Sequence, residues 1–155
     1  MKKILIAYGA LIIVVLVLAY LKFNGNFFPN LSTPKATIAK QTFNLTLAKT
    51  PQEKMKGLSN RKSLNKNEGM LFIFEKKGKY SFWMKDTLIP LDIIYINDRK
   101  IVDIFKNATP QAGKTGVLPI YTPKNDANYV LEINGGISEK NKFKVGDTIK
   151  FEGVR

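Results

Sequence analysis

An uncharged, strongly apolar stretch near the N-terminus restricts the possible folds of this chain more than any other feature. Residues 4–21 contain no charged side chain, Lys2 and Lys3 precede them, and Lys22 follows. At about 1.5 Å per residue, this run as a helix spans roughly 27 Å, close to the ~30 Å hydrocarbon core of a bilayer. Residues 1–22 are therefore predicted to form a transmembrane anchor or an uncleaved signal, separate from the globular part.

The basic residues at the start predict the orientation of this anchor. Lys2, Lys3 and the amino terminus favour a cytoplasmic N-terminus in a single-pass protein, with the rest of the chain extracytoplasmic. The alternative is a signal peptide cleaved near Ala19, which would release a secreted domain. We favour the anchor, because the apolar run is long for a signal peptide.

The remaining chain divides into a linker and one domain. Residues 23–35 are rich in Asn, Gly, Pro and Ser, which is typical of a linker. Residues 36–155 are numerous enough to bury one core, and they contain neither an internal repeat nor a low-complexity tract. We therefore predict one domain after the linker.

Short apolar segments separated by turn residues predict the fold class. Thr50, Pro51 and Glu53 have the pattern of a capping box at the start of a short helix, and residues 137–142 predict another helical turn. We expect hairpins between residues 70–74 and 80–85 and between residues 91–96 and 100–105. The predicted strands cover residues 37–47, 70–74, 80–85, 91–96, 100–105, 128–133 and 148–152. The expected fold is mainly β, a compact sandwich or barrel-like domain with one or two short helices.

The composition excludes several kinds of chemistry. The chain has no Cys and no His, so disulfides, thiol nucleophiles, histidine bases and most zinc or copper sites are ruled out. Ca²⁺ needs only oxygen ligands, but no loop has the spacing of a calcium-binding loop. We predict neither a metal nor a cofactor.

The charge is strongly positive. The chain has 25 Lys and Arg against 12 Asp and Glu, and a net charge of +13. Such a charge attracts anionic lipid, anionic envelope polymer or nucleic acid. Most of it is scattered Lys, without the Arg and aromatic interleaving of a nucleic-acid site, so we predict no nucleic-acid partner.

Several motifs resemble a known family. They are Gly57-Leu58 with Arg61 and Leu64, residues 68–72 with Phe74, residues 82–87, residues 89–94, Ile101-Val102, residues 129–132 with Gly136, and Gly146-Asp147. Over about residues 36–152 the chain resembles domain of unknown function number 192. The resemblance implies a compact β-sandwich domain, often exported, with no established reaction. Ser59 stands where this family usually has Met, and Asp86 where Asn is commoner.

Polar residues near the one tryptophan form the candidate site. We expect Arg61, Trp83, Lys85, Asp86, Asp92 and Glu132 to converge on one concavity, with Thr87 beside them. A tryptophan face bordered by carboxylates and a cation suits a sugar ring. The structural alternative is that Asp92 or Glu132 pairs with Arg61 or Lys85, while Asp86 and Thr87 cap a turn.

Strand alternation assigns some of these residues to faces. Trp83 and Lys85 are predicted to lie opposite Phe82 and Met84. Asp92 is predicted to share a face with Ile94 and Ile96, and Glu132 to share one with Val130.

We predict ligand binding rather than catalysis. We predict a domain that binds a small polar or saccharide-like envelope ligand, with the membrane as a further partner. One alternative is a weak hydrolase that uses Asp86, Asp92 or Glu132. The other is an envelope interaction protein whose basic surface binds anionic lipid or polymer. The sequence leaves the oligomeric state open.

Overall fold

The computed structural model describes residues 2–23, 33–114 and 116–154 and divides the chain into two compact units, residues 1–32 and 33–155. Helix α1 (Lys2–Phe23) belongs to the first unit, and its segment Ile6–Phe23 is long and apolar enough to cross a membrane, as is also true of a signal sequence. Most of the predicted linker, residues 24–32, lies outside the described residues.

The second unit is mainly β. Its strands are β1 (Lys35–Ile38), β2 (Gln41–Ala48), β3 (Glu68–Gly78), β4 (Phe82–Trp83), β5 (Leu91–Asn97), β6 (Lys100–Ala108), β7 (Ile120–Tyr121), β8 (Ala127–Asn134) and β9 (Ile149–Glu152). Its helices are α2 (Pro51–Lys56) and α3 (Ile137–Lys140). A seven-stranded sheet has the order β6-β5-β8-β3-β2-β1-β9, and β4 pairs with β7 in a separate two-stranded ribbon.

The large sheet curls into a half-barrel. Its two edges approach each other where Lys100, at the start of β6, forms a bridge with Thr148, just before β9. The Ile149 N–H donates to the Arg99 carbonyl (2.9 Å), and the Ile101 N–H donates to the Asp147 carbonyl (3.0 Å). The sheet therefore meets itself at one end.

Both faces of this sheet carry an apolar core. The first core includes Phe43, Leu71, Ile94, Leu131 and Phe143. The second core, on the other face, includes Phe72, Met84, Ile93, Tyr95 and Val130. Residues 91–96 of β5 are all buried, because each face of the strand packs against one of the two cores.

The structure confirms the main sequence predictions. The domain is mainly β with two short helices, and β5 pairs with β6 as predicted. The capping box opens α2, where the Glu53 N–H donates to Thr50 Oγ1 (3.2 Å) and the Thr50 N–H donates to Glu53 Oε2 (2.9 Å).

Two strand predictions were wrong. The predicted strand 37–47 is two strands, β1 and β2, joined by a turn in which Ala39 has φ of +52°. The predicted hairpin between residues 70–74 and 80–85 does not form, because β3 pairs with parallel β2 on one edge and with β8 on the other. With both edges of β3 occupied, residues 82–83 pair instead with β7.

Candidate functional site

A cavity of about 320 Å³ opens above the second core. It lies between α2, the segment after α2, β3, the ribbon and β8. Aromatic side chains form much of its wall, and lysines and Met55 surround them. The lining residues are Lys54, Met55, Lys56, Gly57, Leu58, Ser59, Phe72, Phe74, Tyr80, Ser81, Phe82, Trp83, Lys85, Thr87 and Glu132.

Glu132 forms part of the cavity lining from the middle of the sheet. It lies on β8 between its register partners Met70 on β3 and Ile93 on β5, so its side chain rises among apolar neighbours of the second core. The residue is 5% exposed, and its buried Oε2 has no hydrogen-bond partner among the described residues. Buried carboxyls nearly always have partners, so this atom is an exception that calls for an explanation.

The environment of Glu132 favours its neutral form. Burial raises the pKa of Glu132 from 4.5 to about 8, since desolvation disfavours the charged carboxylate. At pH 7 the carboxyl group is therefore mostly protonated, and it offers one O–H donor as well as acceptor oxygens.

A chain of aromatic contacts holds the wall of the cavity in place. Phe82 meets Phe72 edge-to-face with 4.8 Å between ring centroids, and it meets Tyr95 in the same way at 5.9 Å. The Tyr95 hydroxyl donates to the Tyr121 carbonyl (2.7 Å), which fixes the ribbon over the sheet. Burial, with the nearby carboxyls of Glu132 and Asp103, raises the pKa of Tyr95 and keeps this donor protonated.

Cations, one exposed ring and two half-buried rings lie at the opening. Trp83 is 55% exposed, and Lys85 Nζ lies 5.7 Å from the centroid of its ring. Lys54 Nζ lies 4.6 Å from the centroid of Phe74, which stacks on Tyr80 at 3.6 Å. Trp83 therefore presents a flat apolar surface within reach of positive charge.

Asp92 has a structural role on the opposite face of the sheet. Its Oδ1 accepts hydrogen bonds from the N–H groups of Asn107 (2.7 Å) and Gly136 (3.0 Å), and its Oδ2 accepts one from Ser138 (2.6 Å). The fully buried carboxylate thus joins the end of β6 to the start of α3. Its partners are backbone groups, not Arg61 or Lys85 as the structural alternative had it.

The remaining predicted residues lie near a turn beside the cavity. Asp86 is exposed, has φ of +54°, and accepts a hydrogen bond at its carbonyl from the Asn60 N–H (2.8 Å). Thr87 is buried, and its N–H donates to the Met84 carbonyl (3.1 Å). Arg61 is exposed and is not among the lining residues.

Only part of the predicted set converges. The structure brings Trp83, Lys85, Thr87 and Glu132 to the cavity. Arg61, Asp86 and Asp92 are not among its lining residues, so the expectation that all the predicted residues share one concavity was wrong. Asp92 is separated because it pairs with Ile133 on β8, not with Glu132. Side chains alternate along a strand, so Ile133 and Asp92 point to one face of the sheet and Glu132 points to the face that carries the cavity.

Sequence reasoning missed Lys54, Lys56 and the aromatic residues Phe74 and Tyr80. The two lysines reach the cavity because α2 connects β2 to the parallel strand β3, and such a connection crosses one face of the sheet. A strand–helix–strand pattern over residues 41–78 is the sequence signal that places Lys54 and Lys56 above one face of the sheet. Among the residues that the structure describes, no group of three acidic side chains could hold a metal ion.

Comparisons with known proteins identify the family. Residues 34–151 match the model of domain of unknown function 192, described as "Uncharacterized ACR". The chain belongs to this family. The search among curated proteins gave no match.

Two solved structures resemble this member of the family. One is a protein of unknown function from Novosphingobium aromaticivorans DSM 12444, with 34% identity and a TM-score of 0.67 over 76% of this chain and 82% of that chain. The other is described as a putative transcription regulator from Sinorhizobium meliloti 1021, with 30% identity and a TM-score of 0.68 over 78% of this chain and 93% of that chain. Their similarity supports the mainly β fold.

The backbone explains the departure from the family pattern at Asp86. Its φ of +54° lies in the left-handed region, which Asn and Asp adopt more readily than other residues with a side chain. Asp in place of the commoner Asn therefore preserves the turn.

Proposed function

We propose that this domain binds a small polar, saccharide-like ligand in the cavity beside Trp83. The observation that carries the proposal is that Glu132 Oε2, in the lining of an open, aromatic cavity, has no partner among the residues that the structure describes. A buried polar group without a partner costs about 1–3 kcal/mol, which a hydroxyl or amide of a ligand would offset.

The chemistry of the lining suits a ring that has one apolar face and a polar edge. The ring would stack on Trp83, and its hydroxyl groups would exchange hydrogen bonds with the neutral carboxyl of Glu132. Lys54 and Lys85 would donate to polar groups at the opening. A volume of about 320 Å³ is at the lower end of typical ligand sites and favours a small ligand.

The setting that we propose is the cell envelope. Helix α1 would anchor the protein, with its N-terminus in the cytoplasm and the domain outside. Envelope saccharides would then be the polar ligands available to the cavity. We propose no nucleic-acid partner, because the aromatic rings near the site are packed against one another rather than spaced along a strand for base stacking.

A hydrolase is the second candidate, and the raised pKa of Glu132 is the observation in its favour. A carboxyl that stays protonated near neutral pH can act as a general acid. The usual glycosidase mechanism requires a second carboxylate about 5–10 Å away. Glu132 is the one carboxyl group among the described lining residues, so binding ranks first.

Calorimetry on the full chain in detergent tests the proposal. The ligands are a panel of neutral, amino and acidic mono- and disaccharides, and the variants are Trp83→Ala, Glu132→Ala and Glu132→Gln. We expect at least one saccharide to bind. Trp83→Ala and Glu132→Ala should each weaken its binding about tenfold, since stacking of a sugar ring and one hydrogen bond each contribute on that scale.

The conservative variant makes the test specific. Gln resembles the neutral carboxyl, so Glu132→Gln should bind within a few-fold of the unaltered protein at pH 6.5. Above pH 8 the unaltered protein should lose affinity, whereas this variant should not. Glu139→Gln, at an exposed position on α3, serves as the control. No saccharide binding, or full binding by Trp83→Ala, would refute the proposal.

A further inference from the structure

Two large apolar side chains lie exposed in the lining of the cavity, and a third lies beside one of them on the ribbon. Met55 is 79% exposed, Trp83 is 55% exposed and Ile120 is 64% exposed. Trp83 pairs with Ile120 across the ribbon, and Met55 and Trp83 line the same cavity. We call these three residues the apolar rim. Clustered apolar exposure of this kind marks interaction surfaces, whereas single exposed apolar residues are ordinary.

Lysines are interspersed with the apolar rim. Lys54 and Lys56 flank Met55 on α2, and Lys85 Nζ lies near the ring of Trp83. Glu132 is the one acidic side chain among the described lining residues, and it is buried and predominantly neutral at pH 7. The surface at the opening therefore combines apolar side chains with positively charged ones.

We infer that the apolar rim, with Lys54, Lys56 and Lys85, docks on the surface of an anionic lipid bilayer. Met55, Trp83 and Ile120 would enter the boundary between headgroups and acyl chains, where tryptophan is favoured. The lysines would extend along this layer and place their ammonium groups among the lipid phosphates. Any ligand of the cavity would then be met at the membrane surface, although the docking does not depend on such a ligand.

Charge and sequence favour a bilayer over other occupants. Pairing of two copies through this surface would bring their lysine clusters together, and like charges oppose such contact. The chain also contains a helix long and apolar enough to cross a membrane, which makes lipid the more accessible partner. A bilayer satisfies both the apolar and the cationic groups of the rim.

Trp83 provides the experimental signal because it is the one tryptophan in the chain. The full chain is reconstituted into phosphatidylcholine vesicles with or without phosphatidylglycerol, and with acyl-chain-brominated lipid as quencher. We expect a blue shift and strong quenching in the anionic vesicles at low salt. Both should decrease at high salt, because the ions screen the lysines.

Matched variants distinguish docking by the rim from binding through the overall positive charge or through any exposed apolar residue. The triple variant Lys54→Gln, Lys56→Gln, Lys85→Gln should lose most of the quenching. The control triple variant Lys40→Gln, Lys66→Gln, Lys144→Gln, at exposed positions that do not line the cavity, should retain it. Met55→Gln with Ile120→Gln should reduce quenching, whereas Val145→Gln should not, although Val145 is 59% exposed.

Several results would overturn docking on the bilayer. Equal quenching in the neutral and anionic vesicles, or equal loss in the two lysine variants, overturns the inference. The blue shift could instead increase with the protein-to-lipid ratio, without quenching by brominated lipid. That result would indicate self-association and overturn the inference. Glu132→Gln should leave lipid quenching unchanged. If quenching is absent while saccharide binding is intact, the docking inference is refuted and the proposed ligand site is not. Circular dichroism confirms that each variant is folded.

Discussion

Asp92 and Glu132 lie on neighbouring strands of one sheet, but their side chains leave it on opposite faces. Asp92 pairs with Ile133, and Ile93 pairs with Glu132, so the two acids are offset by one position. Asp92 accepts hydrogen bonds from three backbone N–H groups, whereas Glu132 Oε2 has no partner among the described residues. One carboxyl thus holds the fold together, and the other lies in the lining of the cavity.

The protonation of Glu132 should make the stability of the domain depend on pH. The pKa is about 8 in the folded state and near 4.5 in the unfolded state, so the folded protein binds one more proton between these values. The stabilisation is complete below pH 4.5 and is lost as the pH rises to about 8. The total change is on the order of 5 kcal/mol.

Chemical denaturation followed by circular dichroism, on the full chain in detergent, measures this dependence. Glu132→Gln should remove it, and the exposed control Glu139→Gln should keep it. Parallel curves for the unaltered protein and Glu132→Gln would show that Glu132 titrates normally in the folded state.

Removal of the Asp92 carboxylate should strongly destabilise the fold. Asp92→Ala leaves the N–H groups of Asn107, Gly136 and Ser138 without their acceptor, and we expect a loss of about 3 kcal/mol or more in the free energy of unfolding. Ser138→Ala is the matched control, because Ser138 Oγ is buried without a partner in the described part of the chain, while its N–H keeps the bond to Asp92. This control should cost far less, because the hydroxyl makes no hydrogen bond to a described residue that the substitution would break. Similar losses in both variants would contradict the assigned role of the carboxylate.

The left-handed backbone at Asp86 should determine which residues the position accepts. Asp86→Asn and Asp86→Gly should leave the melting temperature nearly unchanged, since both residues tolerate φ of +54°. Asp86→Val should cost about 1–2 kcal/mol, because a β-branched residue is strained there. Asp126→Val, at an exposed position without positive φ, should have little effect. Equal melting temperatures for Val at both positions would refute backbone strain.

The N-terminal helix should remain attached to the mature protein. Intact-mass measurement of protein extracted from membranes should give a chain that includes the apolar segment Ile6–Phe23. Ala19→Tyr, which would obstruct cleavage after a small residue, should leave the mass unchanged apart from the substitution itself. An N-terminal sequence that begins at Tyr20 would identify a signal peptide instead.

Alternation along single strands could be predicted from the sequence, and the site depends on more than alternation. The period of two correctly placed Met84 in the core and Trp83 at the surface, and it assigned Asp92 and Ile94 to one face. It could not give the register between strands, and a shift of one residue reverses the face of every side chain. For this reason Asp92 and Glu132 were expected together although they are separated by the sheet.

The lack of information on strand pairing also explains which cavity residues could be predicted from the sequence. Trp83, Lys85 and Thr87 follow one another in the chain and could be identified from one segment. Lys54 and Lys56 come to the cavity through the parallel pairing of β2 with β3, which no short window of sequence reveals. Local chemistry, such as the capping box at Thr50, was predictable because all its partners lie within four residues.

The pairing of β1 with β9 has a consequence for folding during synthesis. Ile38 pairs with Ile149, so the first strand of the sheet stays without its outer neighbour until nearly all of the domain has been synthesised. Contacts so distant along the chain slow folding. The outer edge of β1 is therefore among the last parts of the sheet to gain its partner as the chain emerges from the ribosome.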